Sequence, residues 1–513
     1  MTLFTTLPSM VAAQSTQAIA FAAADRTPLR YGELNALIAR TADRLRRCGV
    51  ARQDRVALVL DNGPELAAAF VAIASACTAA PLNPAYREEE FAYYLSDLHA
   101  KALVVAQAST SVAVAAARKL GLLVLELQAR PDQGAGDFTL LAGTGEPAPA
   151  DGSDTAADEN DVALILHTSG TTSRPKIVPL SHRNLCASAR NIAHTLRLTS
   201  TDCGLHVMPM FHIHGLIAGV LAPLAAGSRI YCTPGFNALR FFGWMQAARP
   251  TWYSAVPTMH QAILSRAAHN GDVIRANALR FIRSSSSSMP LQVIAELERV
   301  FGAPLIESYG MTEATHQMAS SPLPPARRIP GSVGLAAGPQ IAIMDDMGAL
   351  LASGQTGEVV IRGENVTSGY ENNPQANAQA FVDGWFRTGD QGVLDADGYL
   401  TLTGRLKEII NRGGEKISPR EVDDVLMDHP AVAQVVTFAM PHAKLGEEVA
   451  AAVVLRDGAQ VTERELRDFA ATRIADYKVP RKIVFLTEIP KGATGKLQRI
   501  GLAALLGLGT PPA

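Results

Sequence analysis

Leu166-His-Thr-Ser-Gly-Thr-Thr-Ser-Arg-Pro-Lys176 is the stretch on which the reading of this chain turns. It sets Thr168, Ser169, Gly170, Thr171 and Thr172 ahead of a proline and Lys176. Hydroxyls and backbone N–H groups in such a run donate to phosphate oxygens, and the lysine adds a point charge. The apolar run over 162–166 predicts a buried strand, so the loop sits at a strand end, where α/β proteins place ligands. A Walker loop would close on Gly-Lys-Ser/Thr and open a helix; Arg174-Pro175-Lys176-Ile177 stands there instead. Taken alone, the run also fits an ordinary loop, because Ser, Thr and Gly cluster in loops.

At 513 residues the chain exceeds a single core, and its 48% hydrophobic content, 18% charged content and net charge of −2 describe a soluble, near-neutral protein. No basic surface for nucleic acid stands out. Five scattered cysteines without a C-x-x-C pair argue against a disulfide framework or zinc site and for a reducing compartment. The first basic residue is Arg26, so the charged region of a signal peptide is missing. The apolar runs 66–78 and 215–226 fall short of the roughly 18 to 20 residues of a membrane span. The C-terminal Gly-Thr-Pro-Pro-Ala513 carries no peroxisomal or lipidation signal. A cytoplasmic enzyme without a membrane span or obligatory protein partner is the expectation.

Strand-like runs alternate with amphipathic helices, the pattern of α/β architecture. Tyr31–Arg47 carries Leu34, Leu37, Ile38, Ala42 and Leu45 at helical spacing; 55–60 reads as a strand and 65–76 as a buried helix. Residues 129–160, rich in Asp, Gly, Ala and Pro, read as a surface linker. A second α/β region is expected over 161–330, then a small β-rich subdomain. After Gly404 the texture changes to a helix opening on Ser418-Pro419, two strands and another helix, about 110 residues in all, enough for a separate α+β domain.

Further polar clusters follow the loop. Ser308-Tyr-Gly-Met-Thr-Glu313 offers an aromatic face for a purine, a hydroxyl for phosphate and a carboxylate for Mg²⁺, although a lone Thr-Glu also suits a helix cap. Trp385-Phe-Arg-Thr-Gly-Asp390 puts a carboxylate after a turn glycine, suited to ribose hydroxyls. Gly404-Arg-Leu-Lys-Glu-Ile-Ile-Asn-Arg-Gly-Gly-Glu-Lys416 ends in a double glycine that permits close approach to a ligand or a backbone swing. Lys496, in Pro490-Lys-Gly-Ala-Thr-Gly-Lys496, would in isolation read as solvated surface.

Together and in this order the segments resemble the adenylate-forming superfamily of acyl-CoA synthetases, peptide-synthetase adenylation domains and luciferases. Within it, Pro209-Met-Phe-His-Ile-His-Gly215, Thr251-Trp-Tyr-Ser-Ala-Val-Pro-Thr-Met-His260, Met311-Thr-Glu-Ala-Thr-His316 and Ile410-Asn-Arg-Gly-Gly-Glu-Lys-Ile-Ser418 are similar to the oxalyl-CoA synthetases of plants and yeast. The resemblance implies a large N-terminal domain over 1–403, built of two α/β subdomains and a small β subdomain. A mobile α+β lid over 404–513 hinges near Lys407.

It also implies roles. Thr168, Ser169, Gly170, Thr171, Thr172 and Lys176 grip the β- and γ-phosphates of ATP. Tyr309 covers the adenine beside Glu307 and Ser308, while Asp390 and Arg405 hold the ribose. Thr312 touches the α-phosphate, Glu313 binds Mg²⁺, and Lys496 neutralises charge as the carboxylate attacks. Rotation at Lys407 then withdraws Lys496 and brings Arg412, Gly413 and Gly414 to the site for the thiol of coenzyme A. The expected substrates are a carboxylic acid, ATP and CoA.

Ser173 and Ile177 depart from glycines common in the superfamily, and the run Arg283-Ser-Ser-Ser-Ser-Ser-Met289 departs from its usual glycine or alanine. On the acyl side the resemblance places His212, Ser287, Ser288, Gly310 and His316; His214 and His260 read as structural. His316 follows Glu313 by three residues, which on a helix would put both on one face. With Ser287 or Ser288 it would hold the far carboxylate of a small diacid. Oxalate is therefore the expected acid, with malonate or an aryl or medium-chain acid as alternatives. A non-catalytic nucleotide-binding regulator, and an adenylation domain serving a carrier protein, are the other readings.

Overall fold

Parallel strands covered on both faces must be apolar almost throughout, and this chain builds two sheets of that kind. The computed structural model describes residues 4–142, 156–168, 175–490 and 499–509. Its seven-stranded sheet runs Phe138–Ala142, Leu123–Ala129, Ala102–Ala106, Arg55–Val59, Thr78–Pro81, Val162–Thr168 and Lys176–Ser181, parallel inside and antiparallel at both edges. The helix Tyr31–Arg47 buries Leu34, Leu37 and Leu45 and packs on the helix Pro64–Ala76, whose alanines let it be enclosed on nearly every side. Each such leucine is worth about 1.5–3 kcal/mol of apolar burial.

The nine-stranded sheet carries the site. Its six-stranded parallel core is, in order, Ile19–Ala22, Arg229–Cys232, Cys203–His206, Trp252–Ala255, Phe281–Ser285 and Leu305–Met311, after which the chain turns back antiparallel through His316–Ser320. The expected division of the two α/β regions at residue 161 is corrected by this pairing. Residues 19–30 join the second sheet, while 162–181 complete the first. Parallel pairing is non-local, so strand membership cannot be inferred from position in the chain.

Residues 129–160 are not all linker. Phe138–Ala142 pairs with Leu123–Ala129, and the buried Asp137 before it takes hydrogen bonds from Arg40 and Arg130. Flanking Asp and Gly masked that short strand. The apolar run after Pro209 is buried as the π-helix His214–Leu221 and helix Ala222–Ala225. Among the described residues no helix is long and apolar enough to cross a membrane. None of the five cysteines forms a disulfide, and all are buried.

A five-stranded antiparallel sheet (Gln340–Met344, Thr356–Arg362, Trp385–Leu394, Phe381–Val382 and Leu400–Arg405) closes the larger unit. The strand Leu400–Arg405 runs two residues past the expected boundary, and the next sheet starts at Ile410–Arg412, so the joint is the turn 406–409, which contains Lys407. Beyond it, Val432–His442, Gly446–Leu455 and Lys482–Phe485 form a separate sheet with Ile410–Arg412 and Glu415–Ile417. The helix Pro419–Met427 is capped by Ser418, and Glu463–Ala471 by a Thr462–Glu465 capping box.

Candidate active site

The phosphate-loop motif spans a β-hairpin, with Thr168 and Lys176 facing each other across its strands. Ser169, Gly170, Thr171 and Thr172 lie outside the described residues, as does Lys496. Lys176 Nζ sits 4.2 Å from the centre of the Tyr370 ring. The Tyr370 hydroxyl donates to Glu313 Oε1 at 2.8 Å. Burial raises the Glu313 carboxyl above its ordinary value, opposed by hydrogen bonds and by Arg405 and Lys176. A carboxylate kept from water yet ringed by so little positive charge suits a hard cation, and Mg²⁺ needs only one or two protein carboxylates.

The helical-face argument for Glu313 and His316 fails. Thr312–Ala314 is a single 3₁₀ turn, and Thr315 (φ 51°) and His316 (φ 89°) are left-handed. Met311 pairs with His316 across the hairpin, so residues 312–315 are its turn and the two side chains part. Glu313 meets Tyr370, while His316 reaches the interior. At Gly310 the strands approach so closely that a Cβ would lie 1.5 Å from the His316 carbonyl oxygen.

Tyr309, Asp390 and Arg405 form one cluster. The Tyr309 hydroxyl donates to Asp390 Oδ2 at 2.6 Å, and Arg405 Nε donates to Oδ1 at 2.9 Å. Asp390 and Arg405 are cross-strand partners, and the shift of register beside Gly389 (φ 74°) sets the carboxylate in place. Burial and the Asp390 charge push the Tyr309 phenol well up, keeping it a donor; the same charge raises Arg405.

Glu307 and the buried Ser308 precede Tyr309 on the strand Leu305–Met311. Desolvation raises the Glu307 carboxyl from its ordinary 4.5 to about 7; Arg420 and the Met289 N–H oppose the shift, and Asp424 adds to it. A folded-state pKa above the unfolded one means that its contribution to stability is present below pH 4.5 and lost as pH rises to about 7. Glu307→Gln is therefore expected to raise the melting temperature at pH 8 and leave it unchanged near pH 4. Calorimetry at the two pH values checks this, and equal shifts at both would refute it.

Two of the histidines in the segments expected on the acyl side, His214 and His316, gather around a residue the motif reading passed over. Arg283 is fully buried on Phe281–Ser285 and makes no ion pair among the described residues. Its guanidinium meets His316 Nε2 at 3.0 Å, His214 Nε2 at 3.3 Å, Gln317 Oε1 at 3.2 Å and Ser254 Oγ at 3.3 Å. The His214 and His316 rings stack at 4.8 Å. His260 is held by the Tyr253 hydroxyl at 3.1 Å, and His212 tilts against Phe211. Ser287 and Ser288 are exposed; Ser286, at φ 75°, is the serine that meets His214, at 3.1 Å. The available signal was an arginine directly after the apolar pair Phe281-Ile282 in a strand, where charge is rarely buried without a purpose. Tyr370 had no local signal at all.

Beyond the turn 406–409, Arg412 donates to Glu448 Oε1 at 2.6 Å, and Gly413 (φ 60°) and Gly414 (φ 101°) take conformations that favour glycine. Lys407 is exposed. Arg499, just past the segment with Lys496, ties that end of the chain to Glu408 and Asp423. Arg420 Nη1 donates to the Leu402 carbonyl, and Gln292 to Asp428, across the joint.

The chain that carries these clusters belongs to the AMP-binding enzyme family. The family model matches residues 9–371, and that of the AMP-binding enzyme C-terminal domain matches 421–496. Among its relatives, the oxalate–CoA ligase of Arabidopsis thaliana is 45% identical over 92% of both chains. That of Saccharomyces cerevisiae is 42% identical over 88% of this chain and 86% of its own. The ATP-bound MatB of Rhodopseudomonas palustris superposes with a TM-score of 0.86 at 28% identity, over 98% of this chain and 99% of that one.

Proposed function

We propose that the protein is an AMP-forming acid–CoA ligase acting on oxalate. In the first half-reaction an acid carboxylate oxygen attacks the α-phosphorus of ATP and pyrophosphate leaves; in the second the CoA thiol attacks the acyl-adenylate, releasing AMP and a proton. Thr168, Lys176 and the loop between them bind the β- and γ-phosphates. Tyr309, with Glu307 and Ser308, forms the adenine wall, Asp390 and Arg405 take the ribose, and Thr312 the α-phosphate. Glu313 would hold Mg²⁺, which spreads the charge of the phosphate oxygens. Lys496 meets the charge that develops on attack, and such a contact is typically worth roughly 10²–10³ in rate. The turn at Lys407 carries the lid, and Arg412, Gly413 and Gly414 serve the thiol step after it rotates. His212 and Gly310 border the acid. Five buried cysteines without a disulfide suit a reducing, cytoplasmic setting.

The observation that supports the choice of acid is the polar cluster of Arg283, His214, His316 and Ser286, which is unlike the apolar lining that an acid with a long tail would need. The test is AMP release by purified protein with ATP, Mg²⁺ and CoA against oxalate, malonate, acetate, octanoate and 4-coumarate. Turnover confined to oxalate is expected. A preference for octanoate or coumarate would leave the ligase chemistry and remove the polar-acid reading. Nucleotide binding without turnover on any acid would favour the regulator.

A further inference from the structure

We infer that Arg283 is a positioning residue that locks His214 and His316 into their Nδ1–H tautomers, so that His214 donates to Ser286 and aims that hydroxyl at the acid's second carboxylate. The inference rests on the oxalate reading for its substrate, but its chemistry stands on the geometry of six side chains.

A guanidinium can only donate. The nitrogen facing it must therefore accept, and an accepting ring nitrogen carries no hydrogen. His316 Nε2 lies 3.0 Å from Arg283 Nη2, and His214 Nε2 lies 3.3 Å from Nη1. Ser254 completes the circuit: its Oγ, 3.3 Å from Nη1, accepts from Arg283 and donates to His214 Nε2 at 2.7 Å. An Nε2–H on either ring would set two donors against each other in a fully buried site, a loss that no solvent relieves. The guanidinium is itself anchored, because Gln317 offers it Oε1 while its amide nitrogen donates to the Ala337 carbonyl at 3.1 Å.

With Nε2 occupied in each neutral ring, the hydrogen resides on Nδ1. Burial and the neighbouring charge of Arg283 hold His214 well below its ordinary value, so it remains neutral beside the arginine. His214 Nδ1 then faces Ser286 Oγ at 3.1 Å. Ser286 is half-buried, strained at φ 75° and followed by two exposed serines at the carboxyl end of a parallel strand, where α/β sheets bind ligands. The path thus runs from a buried cation, through oriented imidazoles, to the mouth of the site. Arg283 has no carboxylate partner among the described residues, so an anion arriving at Ser286 meets a positive charge behind the imidazoles.

Two measurements test this. In the full-length wild-type protein with ¹⁵N-labelled histidine, long-range ¹H–¹⁵N spectra assigned with His214→Asn and His316→Asn should show protonated Nδ1 and unprotonated Nε2 on both rings. The Nε2–H form on either ring overturns the inference. Kinetically, Arg283→Met should raise the KM for oxalate roughly 10- to 100-fold, the worth of a charge-assisted contact, with the KM for ATP unchanged. Arg283→Lys, still a pure donor, should recover most of the loss. An unchanged oxalate KM, or parallel loss toward ATP and oxalate, also overturns it. Should Arg283→Met not fold, the wild-type spectra decide. If wild-type protein turns over another acid instead, the oxalate reading falls while the tautomers are still judged by the spectra.

Discussion

Asp390→Asn is expected to raise the KM for ATP roughly 30- to 150-fold, corresponding to about 2–3 kcal/mol. Asp390 is almost wholly buried and accepts from both Tyr309 and Arg405. The amide keeps the shape but turns one acceptor into a donor, setting an N–H against either the phenol or the guanidinium. Breaking a fully buried pair costs more; Arg405 is about half exposed, so solvent recovers part of its charge. The loss should fall on nucleotide affinity, because Tyr309 and Arg405 are released together. ATP titration by calorimetry beside steady-state kinetics checks this. Unaltered ATP affinity with a lowered melting temperature would reduce the cluster to a structural strut.

Glu313→Gln is expected to lower the AMP-release rate by about 10²–10³ and to raise the Mg²⁺ concentration needed for half-maximal rate. Glutamine keeps the hydrogen bond from Tyr370 through its carbonyl oxygen and removes the only charge that Glu313 brings. The contrast with Tyr370→Phe is informative. Losing that hydroxyl leaves the carboxylate charged, so the rate should fall far less, by about 10-fold or under. A Mg²⁺ titration of the three proteins separates the effects. If Glu313→Gln shares the wild-type Mg²⁺ dependence, Glu313 is not the metal carboxylate.

The local elements were the most legible part. The helix Tyr31–Arg47 stands where its apolar spacing placed it, and Ser418 and Thr462 cap the helices they precede. The short strand Phe138–Ala142 was hidden by its polar neighbours, and the helical relation of Glu313 to His316 was a plausible periodicity in a segment that proved to be a hairpin turn. Arg283 was quoted with its serines as a departure from pattern, yet its role depends on partners that its neighbours do not reveal.

Periods, caps and motif order come from residues within a turn or two of one another, and for these the sequence alone was sufficient. From its motifs came the expectation that Thr168, Lys176, Tyr309, Glu313, Asp390 and Arg405 serve a nucleotide. Only the tertiary structure decided which of them meet. Tyr309 reaches Asp390 across 81 residues, Glu313 reaches Tyr370 across 57, and Arg283 reaches His214 across 69. Parallel strands are joined by crossovers that place distant segments side by side, and that is how Arg283 on one strand comes to meet His214 and His316 from two other segments of the fold.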